Sequence, residues 1–126
     1  VYGPLLEPAL STWSEALAKA ARAPQAVQFI SKGLDVLDWL AQPERRPKQD
    51  YLVAAPVSLP LVGLIQLLNY WILIQAAGFD LQKLKNTITA ATGHSQGIVS
   101  AVAVASASNP EKLLENGAKA LRLLLL

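Results

Sequence analysis

The chain has 126 residues, 52% of them hydrophobic, which is the size of a single domain with enough apolar side chains to bury a core. Its 11 basic and 9 acidic residues are scattered along the sequence, which excludes the basic stripe typical of nucleic-acid-binding proteins. With no cysteine and one histidine, His94, the sequence also excludes disulfides, cysteine-based metal sites and zinc sites built from several imidazoles.

Both ends of the chain resemble the interior of a longer sequence. The chain opens on Val1 and contains no methionine, and it closes on the apolar run Leu123–Leu126. Since a terminus at a protein surface is usually polar, we expect the chain to be a piece of a larger protein.

Residues 1–42 predict a set of helices. In the first helix, apolar residues recur every three or four positions, as one buried face requires: Leu6, Leu10, Trp13, Leu17 and Ala20. Pro8 is expected in the first turn of this helix or at a break, with Ser11 as an alternative start. The segment from Pro24 to Gly33 predicts a second, short helix, and a third is expected to begin near Leu34.

Residues 43–50 are strongly polar and predict a surface loop. They are followed by Leu52–Phe79, a run of 28 residues without a charged side chain, which is long enough to be weighed as a membrane span. Pro56 and Pro60 interrupt the first third of this run, and polar side chains recur along one side of the rest. We therefore predict no membrane span here.

The alternative for residues 51–79 is a buried segment followed by a buried helix. We expect Tyr51–Ser58 to be extended, because two prolines fall in or next to it. The helix that follows carries the polar residues Gln66, Asn69 and Gln75 and is expected to end at Gly78, which suits a C-cap.

Residues 87–105 predict a strand, a tight turn and a helix. Thr87–Ala91 combines β-branched with small side chains, which suits a strand packed on both faces. From Ile98 onward the side chains are mostly Ala and Val, and they predict a compact apolar helix. A final helix is expected over residues 110–126, with Pro110 at its first position.

The turn in this unit reads Gly93-His94-Ser95-Gln96-Gly97, a G-x-S-x-G pattern between a predicted strand and a predicted helix. This arrangement is typical of a nucleophile elbow, in which the serine stands on a strained turn. The backbone N–H of Gln96 would then lie at the start of the helix, where it can stabilise an oxyanion. The alternative is a glycine-rich turn with a capping serine.

A nucleophilic serine needs a general base within hydrogen-bonding distance. His94 is adjacent to Ser95, and neighbouring side chains on a tight turn diverge, so His94 is expected to pack or hydrogen-bond locally. We therefore expect the base to lie outside these residues, and the isolated chain to be incomplete and inactive.

Four stretches of the sequence together resemble one family: Gly33–Leu40, Asp50–Leu52, Pro60–Leu67 and Ala91–Gly97. They resemble the starter acetyltransferase domain of type I fatty acid synthases, with the fungal β subunit and the related single-chain bacterial synthases as the most similar members. The resemblance covers residues 1–122, and the string Ala-Thr-Gly-His-Ser-Gln-Gly is much more specific than G-x-S-x-G.

The resemblance implies an α/β fold. Residues 1–126 would be a fragment of one acyltransferase domain: part of an α/β hydrolase-like core, helix-rich, with a strand, the nucleophile elbow and a helix. It also implies that Ser95 takes an acetyl group from coenzyme A and passes it to the phosphopantetheine thiol of an acyl carrier protein. Gln96 would supply one oxyanion N–H, supported by Gly93, His94 and Gly97.

The resemblance further implies that coenzyme A thioesters and carrier phosphopantetheine are substrates and that no cofactor or metal is bound. The partners would be the acyl carrier protein and the other domains or subunits of a large cytoplasmic multienzyme complex. The catalytic histidine and the second oxyanion donor of the family would lie outside the chain.

One departure from the family bears on the substrate. Malonyl-selective relatives carry an arginine about 25 positions after the nucleophile, where it pairs with the free carboxylate, and here that position is Ala120. Arg122 lies two places on, about 200° around a helix. Ile98 replaces the glutamate that commonly follows the pentapeptide in malonyl enzymes. These residues favour an uncharged starter group such as acetyl.

Other functions remain open on this sequence. A transferase for malonyl or another acyl group would use the same serine, and so would a serine esterase. A third possibility is a helical fragment without catalytic function that packs against a partner.

Overall fold

The computed structural model describes residues 3–125, which are 72% helical. The helices, in chain order, are α1 (Gly3–Ala21), α2 (Pro24–Val27), α3 (Val36–Ala41), α4 (Gln49–Leu52), α5 (Ala55–Ala76), α6 (Leu81–Thr87), α7 (Gly97–Ala105) and α8 (Pro110–Leu123). A short 3-10 turn, Pro43–Arg45, lies in the exposed loop after α3. The first two residues of the predicted helical region 1–42, and Leu126 of the predicted final helix, lie outside the described residues.

The predicted strand Thr87–Ala91 does not form. Thr87 is the last residue of α6, and residues 88–93 run on without regular structure and without a backbone hydrogen bond donated by any residue from 89 to 93. A strand is defined by pairing with a neighbour, and residues 3–125 supply no second strand. The α/β class is therefore not shown by this chain, which is helix-rich.

The expectation that Pro8 lies in the first turn or at a break is wrong. Helix α1 begins at Gly3 and runs unbroken to Ala21 with Pro8 inside it, so Ser11 is not its start. The missing N–H of Pro8 leaves the carbonyl of Pro4 without its helical partner. Both prolines are exposed, so water can satisfy that carbonyl.

The extended segment expected over Tyr51–Ser58 is helical instead. Helix α4 covers Gln49–Leu52, and α5 begins at Ala55, so that Pro56 occupies a first-turn position where no N–H partner is needed. The predicted end of this helix is confirmed. Gly78 has φ +63°, and the N–H of Phe79 donates to the carbonyl of Ile74 at 3.1 Å, as in a Schellman motif.

Helices α1, α5 and α8 pack against one another, and α7 packs on α5 and α8. Trp13 of α1 is fully buried at the centre, where its indole N–H donates to the carbonyl of Leu114 at 2.9 Å. Its ring meets Trp71 of α5 edge-on, with 6.1 Å between centroids. Gly117 of α8 lies directly against the Trp13 ring. These contacts fix α5 and α8, which in turn support α7.

Helix α5 has 22 residues and a mean hydropathy of 1.8, so its length and composition would allow it to cross a membrane. Length and composition alone are weak evidence for a membrane span, because the central helix of a folded domain can have the same length and composition. In this fold α5 contacts α1, α7 and α8 and buries Leu64, Leu67, Trp71 and Ile74. It is therefore a core helix here, as predicted.

The last two predicted helices form, although α8 ends at Leu123 and residues 124–125 form a turn instead of continuing the predicted helix 110–126. Helix α7 follows the G-x-S-x-G turn, and α8 starts with Pro110. The Asn109 side chain caps α8 by accepting a hydrogen bond from the Lys112 N–H at 2.7 Å.

Candidate active site

The turn between residues 93 and 97 holds its serine in a strained backbone, as a nucleophile elbow does, although no strand precedes the turn in residues 3–125. Ser95 has φ +53° and is the only non-glycine residue with a positive φ among residues 3–125. The turn is closed by the N–H of Gly97, which donates to the carbonyl of His94 at 2.9 Å, and by the N–H of Ile98, which donates to the carbonyl of Ser95 at 3.1 Å. A side-chain-bearing residue in this region costs about 1–3 kcal/mol, and such strain is concentrated at functional sites.

The two glycines of the motif have different surroundings. A Cβ on Gly93 would overlap the carbonyl carbon and oxygen of Gly97, so the two backbones touch here. A Cβ on Gly97 would meet nothing closer than the side-chain nitrogen of Gln66, at 3.9 Å. Within the described chain, therefore, Gly93 has no room for a side chain, whereas Gly97 has room for one.

The hydroxyl of Ser95 and the backbone N–H of Gln96 have no hydrogen-bond partner within residues 3–125. The Ser95 side chain is exposed, and within residues 3–125 its hydroxyl makes no hydrogen bond, so it does not cap α7. The backbone N–H of Gln96, at the start of α7, likewise has no partner in this part of the chain. A free N–H at a helix N-terminus can stabilise negative charge on an oxygen bound next to it.

His94 is not placed to act on Ser95. Its side chain is exposed and makes no hydrogen bond to Ser95 or to any other described residue. It lines a cavity of about 420 Å³ beside the elbow, together with Gln66, Thr92 and Ser100.

A smaller cavity, of about 160 Å³, lies further along the same extended segment. It is lined by Tyr70, Lys85 and residues 88–91. The hydroxyl of Tyr70 is buried without a hydrogen-bond partner among the residues described, and burial raises the pKa of Tyr70. Cavities therefore flank residues 88–93 over most of their length.

The structure adds supporting residues that the sequence did not single out. The hydroxyl of Ser100 in α7 donates to the Oε1 atom of Gln66 in α5 at 2.8 Å, behind the elbow. The side-chain oxygen of Gln96 is buried near Gly63 of α5, without a donor in the described chain. A serine inside the otherwise apolar helix α7 is the one sequence signal that pointed to such a contact.

The two positions that the resemblance links to the choice of acyl group lie on α7 and α8. Ile98 and Ala120 line a groove of about 390 Å³ whose other walls are mostly apolar. Ala120 is 7% exposed, whereas Arg122 is exposed and does not line the groove. Lys119 does line it, and its ammonium group lies 2.5 Å from a carboxylate oxygen of Glu115. Hydrogen bonds from Lys112, the larger cause, and from Lys119 lower the pKa of Glu115 to about 2.

A comparison with known protein families shows which family the chain belongs to. Residues 2–126 match the family described as starter unit:ACP transacylase in aflatoxin biosynthesis. The chain belongs to this transacylase family.

Clusters of three or more histidine, cysteine, aspartate or glutamate side chains that could hold a metal do not occur in the described part of the chain.

The relatives of this transacylase chain are fungal fatty acid synthase β subunits. It is 45% identical over 121 residues to the fatty acid synthase subunit beta of Schizosaccharomyces pombe, covering 96% of the chain and 6% of the relative. The corresponding subunit of Saccharomyces cerevisiae is 36% identical over 124 residues, covering 98% of the chain and 6% of the relative. The fatty acid synthase beta subunit aflB of Emericella nidulans is 39% identical over 123 residues, covering 98% of the chain and 6% of the relative.

The family relationship predicted from the four sequence stretches is therefore confirmed. The transacylase chain spans about 6% of the length of these relatives. The general base and the second oxyanion donor expected outside the chain stay predictions.

Proposed function

We propose that the chain is the part of a starter-unit acyltransferase that carries the nucleophile, and that Ser95 is this nucleophile. The observation that carries the proposal is the left-handed backbone of Ser95, at φ +53°, directly before α7 in a member of the transacylase family. The exposed hydroxyl and the unpaired N–H of Gln96 support it.

The reaction has two steps. The Ser95 oxygen attacks the thioester carbonyl of acetyl-CoA, the Ser95 proton passes to a general base outside the chain, and coenzyme A leaves with that proton on its sulfur. The phosphopantetheine thiol of an acyl carrier protein then gives its proton to the base and attacks the Ser95 ester, and the serine oxygen leaves with that proton. In both steps the N–H of Gln96 stabilises the charge on the carbonyl oxygen.

The other residues of the turn support this geometry. Gly93 lets the backbone of Gly97 approach closely enough to close the turn. His94 faces the cavity beside the elbow and is not the base. Because the base is missing from these residues, acyl transfer requires the rest of the longer protein.

We further propose that the acyl group is uncharged. The groove beside α7 presents Ile98 and Ala120, and its cation, Lys119, is already paired with Glu115. Lys119 is the one cation that lines the described groove, and a malonyl carboxylate would have to compete with Glu115 for it. The coenzyme A thioester and the carrier phosphopantetheine are the substrates in this proposal, and the acyl carrier protein and the other domains of a cytoplasmic synthase complex are the partners.

The test uses the full-length protein incubated with labelled acetyl-CoA or malonyl-CoA, freed of excess substrate and then given buffer or a pantetheine thiol. We expect an acetyl adduct on the Ser95-containing peptide that persists in buffer and is discharged by the thiol. Rapid loss in buffer would indicate an esterase, and a malonyl adduct would overturn the substrate assignment. No adduct with either substrate would leave the elbow a structural turn.

A further inference from the structure

Helix α7 is held to α5 by one hydrogen bond between side chains. The hydroxyl of Ser100 donates to Oε1 of Gln66 at 2.8 Å, and residues 3–125 contain no other side-chain hydrogen bond between these two helices. Ser100 is 8% exposed and Gln66 lies at the edge of the contact, with its side chain partly in solvent.

A serine at this position is costly unless it is bonded. Helix α7 is otherwise built from small and branched apolar residues, Gly97–Ala105, and a buried hydroxyl without a hydrogen-bond partner destabilises the fold. Serine in a helix commonly bonds to the carbonyl four residues earlier, which here is that of Gln96. The Ser100 hydroxyl instead donates to the side-chain oxygen of Gln66 and makes no hydrogen bond to the Gln96 carbonyl.

The same amide lies beside the elbow. The side-chain nitrogen of Gln66 is 3.9 Å from the point where a Cβ on Gly97 would lie. Gln66 and Ser100 also line the 420 Å³ cavity with Gly93 and His94. Gln66 therefore lies next to the turn and lines the same cavity as the residues that form it.

We infer that Gln66 is a positioning residue for the Ser95 nucleophile. Its bond to Ser100 fixes how far α7 lies from α5, and because Gly97 begins α7, this distance sets the position of the turn that carries Ser95. A nine-residue helix is too short to be stable by itself, so its few contacts determine where it lies. The inference rests on the proposed function, because it concerns the rate at which Ser95 is acylated.

The test measures acylation of the Ser95-containing peptide in the full-length protein, by rapid quenching over a range of acetyl-CoA concentrations. Removing the bond with Gln66→Leu should lower the maximal acylation rate on the order of 10- to 100-fold, as a displacement of about 1 Å does at other active sites. The acetyl-CoA concentration at half-maximal rate should change less than twofold, because Gln66 does not line the groove between α7 and α8 that we assign to the acyl group.

Four further variants separate positioning from folding. Ser100→Ala should lower the rate as much as Gln66→Leu, and the double variant should be no slower than either, because both remove the same bond. Gln66→Glu retains an acceptor for Ser100 and should keep most of the activity. Gln75→Leu, at a residue of α5 that forms no side-chain hydrogen bond within the described chain, is the matched control and should behave as wild type.

The outcomes distinguish the two proposals. If Ser95→Ala abolishes acylation but Gln66→Leu and Ser100→Ala stay within twofold of wild type, the positioning role is wrong and the nucleophile assignment stands. Additive losses in the double variant, or a loss with Gln66→Glu equal to that with Gln66→Leu, would also overturn it. If Ser95→Ala is still acylated at the wild-type rate, the proposed function itself fails.

Discussion

The two glycines around Ser95 make the residue-scale argument testable. Gly93→Ala would place a carbon into the carbonyl group of Gly97, so the turn must open and Ser95 must move. We expect Gly93→Ala to reduce acylation of Ser95 at least 100-fold, on the order of the loss caused by displacing a reacting group. The measurement is the quenched acylation rate of the full-length protein with acetyl-CoA.

Gly97→Ala is the matched control for this prediction. Its added carbon would meet only the Gln66 side chain at 3.9 Å, an ordinary contact, so we expect activity within about threefold of wild type. Equal losses for the two variants would contradict the steric assignment of the turn.

At the residue scale, the sequence predicted a tight turn at Ser95 but not the hydrogen bond between Ser100 and Gln66 beside it. The motif and its place before an apolar helix are local features, so Ser95, Gln96 and Gly93 could be identified from spacing alone. The bond between Gln66 and Ser100 joins residues 34 positions apart, and no local pattern pairs them. Gln66 appeared in the sequence only as one member of a polar side of a helix.

At the scale of elements, the close approach of α1 and α8 depends on Gly117. An added Cβ there would lie 2.5 Å from the ring of Trp13, which is fully buried. We expect Gly117→Ala to destabilise the fold by about 1–3 kcal/mol, because overpacking outweighs the better helix propensity of alanine, about 1 kcal/mol. The change would appear as a lower midpoint of thermal unfolding of the full-length protein.

Gly3→Ala in α1 serves as the control, because an added Cβ there meets no atom within 4 Å. We expect it to leave the unfolding midpoint unchanged. A Gly117→Ala protein at least as stable as wild type would show that α1 and α8 can separate without cost.

The wrong predictions of helices and strands share one cause: each element depends on its contacts with other parts of the protein, which a local pattern does not contain. Pro8 and Pro60 were expected to interrupt helices, yet α1 and α5 contain them, since the rest of each helix is held by its buried face. The segment Thr87–Ala91 has strand composition, but composition cannot supply the neighbouring strand. The caps at Gly78 and Asn109 are local, and both were predictable.

At the scale of the whole molecule, the chain presents surfaces that suit further contacts. Cavities flank the unpaired segment 88–93, and α5 leaves Val62, Ile65 and Leu73 exposed. The relatives are far longer than this chain, which spans 6% of their length. We expect residues beyond this chain to pair with segment 88–93, to cover α5 and to supply the general base.

The measurement that tests the account most directly is peptide mapping of the full-length protein after acetyl-CoA treatment, beside a Ser95→Ala variant. Mapping by peptide is needed because a large synthase can carry acyl groups at other sites. We expect an acetyl group on the peptide that contains Ser95, and none on the matching peptide of the variant. An unmodified Ser95 peptide in a protein that still transfers acetyl groups would contradict the assignment of Ser95 as the nucleophile.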